Sequence, residues 1–130
     1  MGQIVLLNKK GLTLVEVLIA LVVLLFVSLA MLQTALVSID SNMRNVLRDE
    51  AVSIAEMEMN EARNSAFDSL TGTLTGTVQR NIRNISNFTF NITRTITDLT
   101  TDNKQVDISV AWTWKGNPYT HTIISIVRRQ

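Results

Sequence analysis

One carboxylate sits where it is hard to place. Glu16 lies within an otherwise apolar run, five residues after Gly11, with Lys9 and Lys10 directly ahead of that glycine. A charged side chain inside a membrane helix costs a few kcal/mol unless it is near the interface, protonated or paired. Its chemistry is therefore that of a group waiting for a cation. The other polar groups assemble into no reactive set. His121 is the single histidine and the chain has no Cys, which excludes a disulfide framework, a thiolate site and a histidine metal cluster. Asp98, Asp102 and Asn103 lack the spacing of a calcium loop and read as a polar turn. Gly72 and Gly76 are not followed by the Lys-Ser/Thr of a phosphate loop. Asn84, Asn87 and Asn91 open N-x-Ser/Thr triplets, frequent by chance in an Asn- and Thr-rich stretch. With 12 Lys+Arg against 11 Asp+Glu, and Arg80, Arg83 and Arg94 scattered, no nucleic-acid footprint forms. No nucleophile, base and acid can be grouped, so the composition points away from an enzyme. Neither a cofactor, a metal nor a small-molecule substrate is expected.

The element that carries Glu16 is set by hydropathy. Leu12 to Leu32 reads LTLVEVLIALVVLLFVSLAML, without Pro or Gly. At 1.5 Å per residue about 21 residues span roughly 31 Å, the thickness of a bilayer hydrocarbon core. A helix is the single-segment structure that satisfies its own backbone there. Lys9 and Lys10 against the apolar boundary favour a cytoplasmic N-terminus and place the rest of the chain outside the cytoplasm. A cleaved secretory signal fits less well, because its apolar region is shorter and ends in a small-residue site.

The string Lys9-Lys10-Gly11-Leu12-Thr13-Leu14-Val15-Glu16-Val17-Leu18-Ile19-Ala20-Leu21 resembles the processing site of type IV pilins and type II secretion pseudopilins. The resemblance implies that a prepilin peptidase removes residues 1–11 by cutting between Gly11 and Leu12, then methylates the new Leu12 amine. Most of the family carry Phe at that first position, and Leu is a minority variant. A glycine fits the cut physically, since its backbone can approach a protease site closely. The resemblance also assigns Glu16 to subunit assembly, pairing with the amine of a neighbour and setting axial register. The intramolecular alternative stays open, because Leu12 and Glu16 are one helical turn apart.

Beyond the apolar run, no Pro or Gly occurs before Gly72. Met43, Val46, Leu47, Ala51, Ile54, Ala55, Met59, Ala62 and Ala66 recur at three- and four-residue spacing, an amphipathic stripe that predicts continuation of the helix. Met43, Met57 and Met59 read as core filler. Asp40 or Ser41 offers an alternative helix start, with a break at 38–42. Many major pilins carry a Pro where this chain has Gln33, which points to a minor subunit. The segment Arg48 to Arg63 resembles type IV pilus modification proteins and pseudopilin I.

The C-terminal region changes period. Thr71 to Thr77, with two glycines among threonines, predicts a turn or loop. Phe88, Phe90, Ile92 and Ile96 alternate with polar residues, as do Val106, Ile108, Val110, Trp112 and Trp114. Gly116-Asn117-Pro118 reads as the turn before a returning strand, Tyr119 to Val127, giving an antiparallel meander of three or four strands. Trp112 and Trp114 share a face and are expected in the core, with His121 at the surface or the rim. Arg128 and Arg129 read as subunit contacts or a solvated terminus. The fold class is α+β, a long N-terminal helix on a small antiparallel sheet. The expected organisation is a leader at 1–11, a membrane helix at 12–32, an amphipathic continuation at 33–70 and a sheet domain at 71–130. The resemblance implies an inner-membrane protein that assembles with other pilins or pseudopilins through its N-terminal helix. Its function would be to initiate, cap or modify a type IV pilus, with a type II pseudopilus as the alternative. An unprocessed single-pass anchor with a periplasmic binding domain is the alternative of another kind, and it needs neither Gly11 nor Glu16.

Overall fold

The computed structural model describes the backbone of residues 2–130 and the side chains of residues 13–130. Helix α1 (Gly2–Asn64) is followed by a 3-10 turn (Phe67–Ser69) and strands β1 (Thr73–Ile82), β2 (Ile85–Thr100), β3 (Asn103–Trp114) and β4 (Asn117–Arg128). The chain forms two compact units that adjoin in sequence between Asn42 and Met43. The secondary structure has no break at 38–42.

In the first unit, every described residue from Thr13 to Ile39 is exposed. This part of α1 is long and apolar enough to cross a membrane. Two of its hydroxyls are satisfied locally, Ser28 Oγ donating to the Leu24 carbonyl at 2.7 Å and Thr34 Oγ1 to the Ala30 carbonyl at 3.1 Å. Such i−4 bonds let hydroxyls sit in an apolar medium without an unsatisfied donor.

In the second unit, the expected stripe does become a core face. Leu47, Ala51, Ile54, Ala55, Met59 and Ala62 are buried, with Met43 and Val46 packed at its margin. The small alanines let the helix approach the sheet closely. Each fully buried Leu, Ile or Phe contributes about 1.5–3 kcal/mol relative to an exposed position. Three details differ from the periodicity. The helix ends at Asn64 rather than near residue 70, where Ser65 turns back on the Glu61 carbonyl through both N–H (3.0 Å) and Oγ (2.8 Å). Ala66, beyond that end, is exposed. Met57 is 55% exposed, off the buried stripe, and receives Arg80 Nη2 at 3.7 Å on its sulfur.

The sheet is a meander in the order β1-β2-β3-β4, every neighbouring pair antiparallel. Phe90, Ile92, Val106, Ile108, Val110 and Trp112 point to the helix, the alternation that period two requires. Thr73–Thr77, expected as a loop, is the first half of β1, with Gly76 opposite Ile92. The turn in this segment is confined to its start, where Gly72 has φ +66°. The β3–β4 turn is Lys115-Gly116, not Gly116-Asn117-Pro118. Both residues have positive φ (49° and 78°), the geometry of a hairpin turn whose twist matches the strands. Pro118 lies inside β4.

Candidate processing and assembly site

Glu16 projects from the exposed apolar part of α1. Among the described residues no side chain pairs with it. Its predicted companions Lys9, Lys10, Gly11 and Leu12 lie outside the residues whose side chains are described. The described part of the site is thus a lone carboxylate near the start of a bare apolar helix, about one turn beyond the position of the expected cut.

The sheet unit does not gather the remaining candidates into one place. Trp112 is buried and Trp114 half-buried, both against the core as expected. They form part of an aromatic row: Phe90 to Trp112 at 5.9 Å between centroids, Trp112 stacked on Tyr119 at 5.8 Å, and Phe88 to Trp114 at 6.5 Å. Such pairs add about 0.5–1.5 kcal/mol beyond area burial. His121 is half-buried at the rim of this row, with Nε2 buried and unpartnered, beside a cleft of about 250 Å³ that Arg44, Arg48 and Tyr119 also line. Arg80 Nε meets Glu50 Oε1 at 3.0 Å, tying β1 to α1, while Arg83 occupies the β1–β2 turn with φ +50°. Arg94 lies half-buried in β2. These three arginines make no common patch by sequence position or strand register.

Two residues carry more than the sequence suggested. Arg129 is not part of a frayed terminus. Its N–H donates to the Asp102 carbonyl at 2.8 Å, its guanidinium lies 2.8 Å from Asp68 and 3.7 Å from Asp102, and it stacks over Phe67 at 4.8 Å. Lys104, not singled out from the sequence, is buried. Its Nζ donates to the Leu70 carbonyl at 2.7 Å, stands 3.6 Å from Asp98 and lies 4.8 Å from the centre of the Phe67 ring. Asp102 lies in the β2–β3 turn and Asn103 opens β3, and Thr100 Oγ1 accepts from both backbone N–H groups at 3.3 and 3.1 Å. No group of three His, Cys, Asp or Glu that could hold a metal occurs among the described residues.

Comparison with known proteins agrees with the N-terminal reading. Residues 6–32 match the family model of the prokaryotic N-terminal methylation motif. No curated protein and no solved structure matches the chain. The motif points to a structural subunit, to an inner-membrane anchor and to processing by a prepilin peptidase. On a long helix joined to a four-stranded antiparallel sheet, the chain carries the signature of the type IV pilins and pseudopilins in an α+β, pilin-like fold.

Proposed function

We propose that this chain is a minor pilin-like subunit of a type IV pilus that initiates, caps or modifies the filament. The observation that carries the proposal is the processing motif set directly against a bare apolar helix of membrane length. Prepilin peptidase cuts between Gly11 and Leu12 and methylates Leu12. Lys9 and Lys10 hold the leader on the cytoplasmic side, so the sheet unit lies in the periplasm before assembly. Residues 12–32 span the inner membrane, and the turns beyond them hand the chain to the sheet. In the filament, Glu16 accepts the Leu12 amine of a neighbouring subunit. The absence of Pro at position 33 and the character of Arg48 to Arg63 support the minor class.

The test is the N-terminal peptide, identified by mass spectrometry in filaments sheared from expressing cells. A peptide beginning at methylated Leu12 in that fraction is the expected result. A processed chain that stays in the membrane moves the assignment to a type II secretion pseudopilus. A chain that retains Met1 beside an active prepilin peptidase overturns the proposal and leaves an unprocessed anchor.

A further inference from the structure

We propose that copies of this chain join edge to edge, with β1 of one copy hydrogen-bonded to β4 of the next, so that the sheet continues from subunit to subunit. The inference rests on the proposed membrane subunit for one premise, that neighbouring copies share the same polarity.

The two free edges offer matching backbone groups. The Ile96 N–H donates to the Gly72 carbonyl at 2.9 Å, which fixes the phase of the β1–β2 ladder. Bonding alternates along an antiparallel pair, so Leu74, Gly76 and Val78 face β2 and Thr73, Thr75, Thr77 and Gln79 turn their N–H and C=O groups to the open side. At the other edge, the Arg129 N–H donates to the Asp102 carbonyl at 2.8 Å. By the same alternation Thr120, Thr122, Ile124 and Ile126 present their backbone outward. Pro118 falls in this phase as well, where its missing N–H costs the sheet no internal bond. On both edges the outward-bonding residues carry their side chains on the face away from the helix.

Neither edge is guarded along its middle. Natural sheets blunt free edges with charge, Pro, bulges or a covering element. In β1 the charge and the irregularity come late, at Arg80 and between Arg80 and Ile82. Thr73 to Gln79 contains no Asp, Glu, Lys, Arg or Pro, and Thr73–Thr77 is exposed throughout. In β4 the guards sit at the ends, Pro118 and Arg128, and Tyr119 to Val127 has none. Ile124 and Ile126, 63% and 61% exposed, add apolar surface beside that open edge.

Topology chooses the partner. In a four-stranded meander β1 and β4 run in opposite directions. A second copy displaced sideways, with its polarity kept, brings its β4 antiparallel to β1 and its outer face level with the first. Antiparallel self-pairing of β1 would run the sheet-packed parts of α1 in opposite directions in the two copies. Parallel self-pairing about an axis along the strands would put the sheet-packed parts of the two helices on opposite faces of the joined sheet and prevent them from packing. Contact between β1 and β4 of successive copies is heterologous, so a joined pair keeps one free β1 edge and one free β4 edge. Placing Thr73 opposite Ile126, Thr75 opposite Ile124, Thr77 opposite Thr122 and Gln79 opposite Thr120 uses all the outward groups in both stretches. Confinement to one membrane raises the effective concentration at which this modest contact operates.

The native chain has no Cys, so disulfide trapping reports only introduced pairs. Full-length chains carrying Thr75→Cys are co-expressed in bacterial membranes, in turn, with chains carrying Thr122→Cys, Ile124→Cys or Ile126→Cys, then oxidised. Opposed residues in such a pair lie about 5.5 Å apart at Cα, within disulfide reach. The expected result is a dimer band for one of these combinations, strongest for Ile124→Cys, that neither single variant gives alone. Adding Thr77→Pro to the Thr75→Cys chain removes a donor only from the open edge. It should abolish the band while protease resistance of the sheet persists. A Thr75→Cys homodimer, or no band with any partner, overturns edge pairing. Mass spectrometry of the same membranes judges the proposed function separately. A chain beginning at Leu12 without a dimer band leaves that function standing, whereas a leader left uncut beside an active prepilin peptidase overturns it whatever the band shows.

Discussion

Replacing Lys104 by Met tests how the 3-10 turn that follows α1 is locked to the sheet. Lys104 is 8% exposed on the inner face of β3. Its ammonium donates to the Leu70 carbonyl at 2.7 Å and lies 4.8 Å from the centre of the Phe67 ring. Methionine retains much of the aliphatic stem but offers no donor and no charge. A hydrogen bond to a charged group contributes about 1.5–3 kcal/mol. The cation–ring contact adds about 1 kcal/mol at a partly desolvated site. The pair with Asp98 is minor, because that side chain is 74% exposed and 3.6 Å away; it contributes about 0.5 kcal/mol or less. The expected loss is about 3 kcal/mol, which lowers Tm by about 12–24 °C in a domain of this size. Near-UV circular dichroism of the detergent-solubilised full chain reads it directly, since Trp112 and Trp114 both lie in the sheet unit. Asp98→Asn serves as the comparison and should move Tm by less than about 4 °C. A Lys104→Met chain that melts within that same margin would refute the reasoning, by showing that the Leu70 carbonyl loses nothing without its donor.

Gly11→Leu should block conversion to a chain beginning at Leu12, read from the mass of the N-terminal peptide, because a side chain then occupies the position expected to approach the peptidase. Glu16→Ala should leave that cleavage intact but sharply reduce the protein in sheared filaments; normal incorporation would remove Glu16 from assembly. Phe90→Ala should destabilise the sheet unit by about 3–5 kcal/mol, since Phe90 is fully buried and packs on Phe88 and Trp112. In the same melting assay Ile124→Ala, on the exposed face, should change stability by no more than about 0.5 kcal/mol.

The core was the most legible part of the fold, because burial imposes its period on both elements. Leu47, Ile54 and Met59 mark the helix, while Val106, Ile108, Val110 and Trp112 mark β3, and all are buried together. Legibility fails where a segment has one dry side or none. Thr73–Thr77 carries no apolar alternation because it is exposed on both faces, and only its register with β2 makes it a strand. Ala66 keeps the stripe's spacing but falls after Ser65 has already closed the helix on the Glu61 carbonyl. Lys104, followed by Gln, carries no local apolar signal of burial. Its burial depends on Leu70 and Phe67, brought from another part of the chain, which no local pattern encodes. Of the candidate site, the methylation motif over residues 6–32 was legible because the spacing of its lysines, glycine and apolar run is local.

The apolar helix gives a physical reason for Glu16 to matter in the proposed assembly. Leaving lipid for contact with other helices changes one apolar neighbour for another, so burial alone supplies little drive and almost no register. Hydroxyl groups are a common source of interhelical bonds, but Ser28 and Thr34 are already bonded to carbonyls of their own helix. Between Leu12 and Ile39 the one ionisable side chain is Glu16. A carboxylate that has no side-chain partner among the described residues, and is costly to leave so in lipid, favours whatever arrangement brings it a cation. Cleavage after Gly11 would create that cation at Leu12, one turn away in sequence. The same cut that releases the leader would thereby create the group able to set the stagger between helices, and open sheet edges would then need to supply only lateral contact.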